Sequence, residues 1–152
     1  MTHPLEQLIS EEHLDHFVRE CAQMVRDEVA QKRGVSGVMI KAGFKLIERV
    51  RPSIIDDLLY SLLPLFIERL KPFYDAYLAH SVGGGDLGAY LIARAAEVAS
   101  GLLEVTDERA EKSRMSALVS AYRKLRPIAQ DQIISAMPRL GALLERHLAR
   151  HR

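Results

Sequence analysis

Apolar side chains recur at steps of three and four residues through most of the chain, the spacing that places them on one face of an α-helix. The first run of this kind consists of Leu14, Phe17, Val18, Cys21, Met24, Val25 and Val29. Later segments repeat the pattern, and no segment alternates apolar and polar residues between turn signals as a strand would. The pattern therefore predicts an all-α protein.

A second helix is predicted over residues 36–50, and its glycines set it apart. The apolar pattern turns four of its side chains inward, namely Met39, Leu46, Ile47 and Val50. Gly37 and Gly43 lie in this helix, although glycine inside a helix costs about 1 kcal/mol relative to alanine. We therefore expect the glycines to allow close backbone contact with a neighbouring helix.

Prolines divide the next long apolar segment. Pro52 suits the first turn of a helix, where its missing N–H costs nothing. Pro64 and Pro72 follow in the same segment. Inside a helix, each would remove one hydrogen bond and clash with a carbonyl group one turn earlier. Residues 53–80 are therefore predicted to form a broken helix in two or three pieces.

The proline pattern occurs twice in the chain. The phrase VRPSIIDDLLYSLLP begins at Val50, and LRPIAQDQIISAMP begins at Leu125. A shift of about 74 or 75 residues superimposes the two Arg-Pro pairs and also brings Pro64 onto Pro138. Because self-similarity at a fixed offset is the signature of a repeated unit, the sequence predicts an internal duplication.

The duplication defines the expected architecture. We expect a single helical domain over residues 1–152, with about six helices in two pseudo-repeated three-helix units. The units span about residues 10–80 and 86–152, and the glycine-rich residues 81–85 link them. Neither unit alone would bury much apolar surface, so the two are expected to share one core.

Charge and composition exclude several classes of function. The 152 residues include 21 Lys and Arg against 20 Asp and Glu, a net charge of +1. This balance lacks the basic field that nucleic-acid binding normally needs. No signal peptide or membrane-spanning run is predicted. Cys21 is the only cysteine, which fits a protein of the reducing cytoplasm.

One cluster of residues has the chemistry of a metal site. Glu12, His13 and His16 lie near the start of the first helix, and residues three or four apart share a helix face. Zinc and iron accept such ligands. In the second unit of the duplication, Leu87 and Tyr90 occupy the positions that match the two histidines. They cannot bind a metal as histidine does, which excludes a symmetric two-metal site. A solvated polar face at a helix start explains the same residues.

The two Arg-Pro pairs supply a second set of candidate residues. Arg51 and Arg126 occur at matching positions of the two units, as do Asp57 and Asp131. A structural ion pair is the first interpretation, and an anion-binding site between the units is the second. If the two Arg-Pro corners meet in space, their junction is the first place to expect a ligand.

No cofactor is predicted. The glycines of GGGDLG match the spacing G-x-G-x-x-G of a dinucleotide site. Such a site requires a strand before the glycines, whereas the preceding KPFYDAYLAH has the pattern of a helix. A linker explains these glycines without a nucleotide.

Two longer segments carry a resemblance to known proteins. GVSGVMIKAGFKLIERVRP and GGGDLGAYLIARAAEVASGLLEVTD resemble small bacterial all-helical proteins in families of unknown function. The resemblance covers most of the chain. It implies a helical fold and brings no activity and no functional residue with it.

Three functions remain open at the level of the sequence. The first is a non-catalytic interaction or structural module that forms a homodimer or binds a protein partner, because no catalytic constellation is evident and the C-terminal segment is amphipathic. The second is a module that binds an apolar small molecule between helices. The third is a metal-dependent enzyme that uses His13 and His16.

Overall fold

The computed structural model describes residues 2–80 and 86–150, and all regular structure within these ranges is helical. Seven helices lie in this part of the chain: α1 (Pro4–Gln7), α2 (Leu14–Gln31), α3 (Gly34–Glu48), α4 (Ile54–His80), α5 (Leu87–Ala93), α6 (Ala95–Lys112) and α7 (Ser116–Arg150). The all-α prediction is confirmed. The predicted linker at residues 81–85 lies outside the described residues.

The longest helix, α7, organises the fold. It packs against α2, α3, α5 and α6, while α4 packs against α1, α2 and α6. Their facing side chains form the main core, which includes Leu5, Leu8, Phe17, Val18, Ile67, Leu91, Val98, Met137 and Leu144. No helix among the described residues is long and apolar enough to cross a membrane.

Four prolines lie inside helices that continue through them. Pro64 and Pro72 are within α4, and Pro127 and Pro138 are within α7. The prediction of a broken helix over residues 53–80 was therefore wrong. All four prolines are exposed, so the carbonyl group that each leaves without a helical partner lies on the solvent side, where water can satisfy it. Burial of the opposite face stabilises each helix along its whole length.

The two Arg-Pro pairs occupy different positions in the fold. Arg51 and Pro52 lie in the turn between α3 and α4, two residues before the helix whose first turn Pro52 was expected to occupy. Arg126 and Pro127 lie inside α7 and form no corner. The same long helix spans the residues that would match both α3 and α4 of the first unit. The predicted pseudo-repeat of two three-helix units is therefore not confirmed.

Helix α3 makes close contacts at both of its glycines, but only Gly43 meets a neighbouring helix, and it does so through a side chain. A Cβ added at Gly43 would lie 2.6 Å from a side-chain carbon of Leu125 on α7. One added at Gly37 would lie 2.7 Å from the backbone of Lys32. Both glycines are buried. This close approach sets which face of α3 turns inward.

The prediction for the apolar side chains of α3 was half right. Ile47 and Val50 pack against buried residues of α2 and α4. Met39 and Leu46 were expected to face inward, but they are 42% and 41% exposed. The glycine face is the one that fits against α7, so the opposite apolar face points to solvent. We call this exposed set the α3 stripe; it consists of Val35, Val38, Met39, Ala42 and Leu46.

Two helix boundaries follow from local chemistry. Asp86 caps α5, and its Oδ1 accepts a hydrogen bond of 2.6 Å from the backbone N–H of Ala89. Gly34 adopts a φ of +73° at the junction of α2 and α3, a conformation that glycine adopts without steric cost.

Candidate functional site

A cavity of about 310 Å³, partly open to solvent, lies among the helices. It is bounded by α2, α3, α4, α6 and α7, and carbon atoms form almost all of its wall. Its lining includes Phe17, Cys21, Leu63, Phe66, Met137 and Leu140. We call it the central cavity. Its volume is at the lower end of the range of small-molecule sites, about 300–1,000 Å³.

Polar side chains contribute to the central cavity mainly on one side. Glu28, Lys32 and Gln132 line it there. The Nζ of Lys32 lies 3.1 Å from Oε2 of Glu28 and donates a hydrogen bond of 2.6 Å to Ser135. Arg139 Nε lies 2.8 Å from the other oxygen of Glu28. The charged atoms therefore pair with one another, and carbon chains face the cavity.

Cys21 lines the central cavity and is only 4% exposed. Burial, with a further contribution from the charge of Glu20, raises the pKa of its thiol to about 12. A thiol with so high a pKa is almost entirely protonated near neutral pH and is a poor nucleophile. Its position is that of a core cysteine, as the apolar pattern predicts.

A second cavity, of about 280 Å³, lies between α3, α4, α6 and α7. Arg51 and Asp57 line it, together with Arg109 and Tyr122. The Nε of Arg51 lies 2.7 Å from Oδ2 of Asp57. Hydrogen bonds from Arg51 and Ser53 hold the pKa of Asp57 below its usual value. The first-unit pair predicted from the sequence thus lies beside a cavity.

Arg126 takes a different partner from the one that the repeat suggests. Two nitrogens of its guanidinium group donate hydrogen bonds to Asp107 of α6, Nε to Oδ1 at 2.8 Å and Nη2 to Oδ2 at 3.1 Å. Asp131 lies elsewhere on α7 and is exposed. Tyr122 also donates to Asp107, at 2.5 Å. Arg51 and Tyr122 both line the second cavity. Arg126 shares Asp107 with Tyr122, so the two arginines lie near the same cavity.

The predicted metal ligands are not all brought together. Glu12 is exposed, and Nδ1 of His13 lies 2.8 Å from the hydroxyl of Ser10. His16 instead pairs with Glu20, one turn further along α2, at 3.0 Å. Neither Glu12 nor His13 belongs to the group of potential ligands around His16.

That group is completed by a residue from the far end of the chain. His16, Glu20 and His147 offer ligand atoms that all lie within 4.8 Å of one another, and no other group of three appears in residues 2–80 and 86–150. Nε2 of His147 lies 3.3 Å from Oε2 of Glu20. We call these three residues the α2–α7 cluster.

The ionisation of the α2–α7 cluster follows from its surroundings. His147 is only 2% exposed, and this burial lowers its pKa although Glu20 acts in the opposite direction. Partial burial also opposes ionisation of Glu20, but the hydrogen bond from Arg146 and the proximity of His147 outweigh it and lower the pKa of Glu20. The cluster therefore combines a neutral imidazole with a carboxylate near neutral pH.

Comparison with known proteins identifies the family but no activity. A family model described as "Family of unknown function (DUF6918)" matches residues 5–148. The chain belongs to DUF6918. The match begins at Leu5 and ends at Leu148, and both residues are buried in the main core. No curated protein and no solved structure matches the chain. The resemblance to a family of unknown function is thereby confirmed.

The sequence of this DUF6918 chain left parts of each site unseen. His16 and His147 are at opposite ends of the chain. Residue spacing within one helix therefore could not predict that they lie together. Its position on the apolar side of α7, between Leu144 and Leu148, was the one signal available. The central cavity had no specific signal, because its lining residues are those of any helical core.

Proposed function

We propose that this protein binds an apolar small molecule, such as a single hydrocarbon chain, in the central cavity. The observation that carries the proposal is the cavity itself, with about 310 Å³ of space and a wall made almost wholly of carbon. Small-molecule sites are concave and mostly apolar, and in helical proteins they lie between helices. A hydrocarbon chain needs no polar partner inside such a space.

The energetics of an apolar cavity favour an occupant. The wall of the cavity is almost entirely carbon, and removing apolar surface from water is worth roughly 25 cal/mol per Å². Water gains little there, because a buried water molecule needs two to four polar partners. A hydrocarbon ligand would cover this apolar surface.

The polar side of the cavity suggests how such a ligand would be oriented. A carboxylate head group at this side would find the ammonium group of Lys32 and the guanidinium group of Arg139. Both now pair with Glu28. A fatty acid would place its chain among the core side chains and its head group at this ionic cluster.

Filling the cavity provides a direct test. Ala136 lines the cavity from α7, and Ala136→Leu would occupy part of the space. Ala117 is exposed on the same helix, so Ala117→Leu is the matched control. Titration with fatty acids of graded chain length, followed by calorimetry, should show binding to the wild type and the control and weaker binding to Ala136→Leu.

Two further results sharpen this test. Cavity-filling substitutions commonly add about 0.5–2 kcal/mol of stability, so Ala136→Leu should unfold at a higher temperature while binding less ligand. If it fails to fold, Val29→Leu, which adds one methylene to the cavity wall of α2, takes its place. Saturable binding that is equal in wild type and both variants would place the ligand elsewhere.

The variant Lys32→Met distinguishes the contribution of the ligand's hydrocarbon chain to affinity from that of its head group. The methionine side chain keeps much of the apolar surface of lysine and removes its charge. If Lys32 binds the head group, the variant should lose affinity for a fatty acid but keep its affinity for the fatty alcohol of the same length. Equal losses for both ligands would mean that Lys32 contributes only to packing.

If Arg51 and Asp57 bind a ligand, we propose that they do so in the second cavity. These residues are at its edge, and Arg109 adds a further cation. Arg126 would act indirectly, through Asp107 and Tyr122. Asp131 has no place in this arrangement beyond its exposed position on α7. Phosphate or acetate titrated into the wild type and into Arg109→Ala would test an anion site there.

Self-association is a second candidate function, and the α3 stripe favours it. Val35 and Val38 are 80% and 69% exposed, and exposed contiguous apolar surface commonly marks an interaction site. The half of α3 before Lys41 carries no charge, whereas the other half contains Lys41, Lys45 and Glu48 and is basic on balance. Two copies paired antiparallel would therefore place the basic half of each helix beside the uncharged half of the other.

Light scattering tests this second candidate. The wild type should show twice the chain mass of 17.1 kDa, and Val38→Glu should reduce the mass to that of one chain. Ala117→Glu places the same charge on an exposed site of α7 and should leave the dimer intact. A wild type that remains monomeric at high concentration would remove self-association from consideration.

The cytoplasm remains the expected compartment for either function.

A further inference from the structure

We infer that the α2–α7 cluster of His16, Glu20 and His147 forms a binding site for a divalent transition-metal ion of the Zn²⁺ class. The three side chains come from two helices that are far apart in the sequence and adjacent in the fold. His16 and Glu20 are one turn apart on α2, and His147 faces them from α7. This site is independent of the central cavity, whose wall includes none of the three residues.

The buried imidazole is the feature that packing alone does not explain. His147 is 2% exposed, and its Nε2 makes no hydrogen bond among the described residues. Glu20 Oε2 lies 3.3 Å away, but not in the geometry of a hydrogen bond. A buried polar atom without a partner loses its hydrogen bonds to water and gains none in return, which destabilises the folded state. A metal ion at the cluster would use this nitrogen.

The neighbouring ring fixes the direction of the imidazole. Phe17 meets His147 edge to face, with ring centroids 5.0 Å apart and planes at 80°. The ring of His16 is also close, with its centroid 5.5 Å from that of His147. The two imidazoles and the carboxylate of Glu20 therefore lie together where α2 meets α7.

The distances suit metal coordination. Zn²⁺ bonds to imidazole nitrogen at about 2.0–2.1 Å, so ligand atoms around a tetrahedral ion lie about 3.3 Å apart. Nε2 of His16 lies 3.0 Å from Oε1 of Glu20, and Nε2 of His147 lies 3.3 Å from Oε2, so each imidazole is close to a different oxygen of the carboxylate. One ligand atom from each of the three residues can be chosen so that all lie within 4.8 Å of one another. Two imidazoles and one carboxylate are a common set for Zn²⁺ and related ions, and they leave a position open for water.

Two arginines compete for the same carboxylate. Arg146 Nη2 lies 2.9 Å from Oε2 of Glu20, and Arg150 Nη1 lies 3.6 Å from Oε1. Arg150 Nη1 is also 3.1 Å from Nε2 of His16. Both arginine side chains are about half exposed, so they can turn into solvent when a cation enters. Their charge should weaken metal binding, which gives the proposal a second testable consequence.

Metal content of the untagged full-length chain is the first experiment. A histidine tag is excluded because it binds the same ions. Equimolar Zn²⁺ followed by desalting and elemental analysis should leave one equivalent on the wild type, and none on His16→Ala or Glu20→Gln. His16 is half exposed, so its removal should preserve folding. His80→Ala, which removes another exposed histidine, should retain the full equivalent.

Removal of the competing charge should act in the opposite direction. We expect Arg150→Ala to bind Zn²⁺ roughly 2–5-fold more tightly, the range expected for one exposed charge pair. Arg49→Ala removes an exposed cation at the end of α3 and should leave the affinity unchanged. Co²⁺ in place of Zn²⁺ should give visible absorption bands in the wild type that His16→Ala lacks. A merely structural cluster would show neither the bands nor the gain.

Three results would overturn the site. One is a wild type that retains no Zn²⁺ at equimolar concentration. Another is a His16→Ala chain that retains as much Zn²⁺ as the wild type. The third is a thermal midpoint that Zn²⁺ leaves unchanged in the wild type, because an ion that binds only the folded state must raise it by mass action.

Discussion

Gly141 of α7 lies directly against Gly88 of α5. A Cβ added at Gly141 would come within 2.6 Å of the Cα of Gly88. Glu145, one turn further along α7, accepts a hydrogen bond of 2.9 Å from the backbone N–H of Gly88. The two helices therefore meet backbone to backbone, and the carboxylate of Glu145 is at the positive N-terminal end of α5.

Gly141→Ala should destabilise the protein. The added methyl group would press on backbone atoms that no side-chain rotation can move, and overpacking costs about 1–3 kcal/mol. Gly101 is the matched control, since a Cβ there would meet only Arg69 Cβ, at 3.9 Å. Gly101→Ala should gain up to about 1 kcal/mol from helix propensity. Urea unfolding of both variants measures the difference, and equal effects would contradict the close contact.

Leu46→Ala should change stability by no more than about 0.5 kcal/mol, because an exposed side chain has little packing to lose. Leu91→Ala should cost about 2–5 kcal/mol, because Leu91 is 1% exposed in the main core. Thermal unfolding distinguishes the two. A large loss in the Leu46 variant would instead support the inward position that the apolar pattern indicates.

The sequence was informative about elements and less so about their environment. The three- and four-residue spacing predicts the helices, and Asp86 and Gly34 mark real boundaries. Periodicity identifies an apolar face without saying whether a neighbour covers it, so Leu46 was assigned to the core. Proline propensity is a local property, and the burial of the opposite face outweighs it at Pro64 and Pro127.

Long-range pairings were also beyond reach. Arg51 and Asp57 are six residues apart, and their side chains form an ion pair. Arg126 and Asp107 are 19 residues apart on different helices, and their contact depends on how α6 turns back along α7. The proximity of His16 to His147 could not be predicted either, because it depends on how α2 and α7 pack. Such contacts follow from packing angles that composition and spacing do not specify.

Asp107→Asn should reduce stability near neutral pH and have no effect in strong acid. The hydrogen bond from Arg126 comes first among the influences that lower the pKa of Asp107. A lowered folded-state pKa means that the stabilisation is present above the ordinary value of about 3.9 and is lost as the pH falls through the folded-state value. Both side chains are 40% exposed, so the loss should stay below about 1 kcal/mol.

Urea unfolding between pH 7 and pH 2 tests this pH dependence. Asp131→Asn removes an exposed carboxylate that does not pair with Arg126, and it should have a smaller effect near neutral pH. A deficit in the Asp107 variant that persists unchanged at the lowest pH would show that shape, and not charge, explains the effect.

Cys21 should react with a thiol reagent only when the protein unfolds. With a pKa of about 12, its thiolate fraction near neutral pH is roughly three orders of magnitude below that of a free cysteine of pKa about 8.5. The folded chain should therefore label very slowly, and the urea-unfolded chain at once. Rapid labelling of the native protein would mean that the cavity wall opens readily at α2.

The most direct measurement of the central claim is native mass spectrometry of the untagged chain after incubation with fatty acids of graded length. Occupation of the central cavity predicts a complex of one ligand per chain, with an optimum chain length that becomes shorter in Ala136→Leu and is unchanged in Ala117→Leu. A mass equal to that of the polypeptide at every chain length, in freshly purified and in incubated protein alike, would contradict the proposal that this cavity binds an apolar ligand.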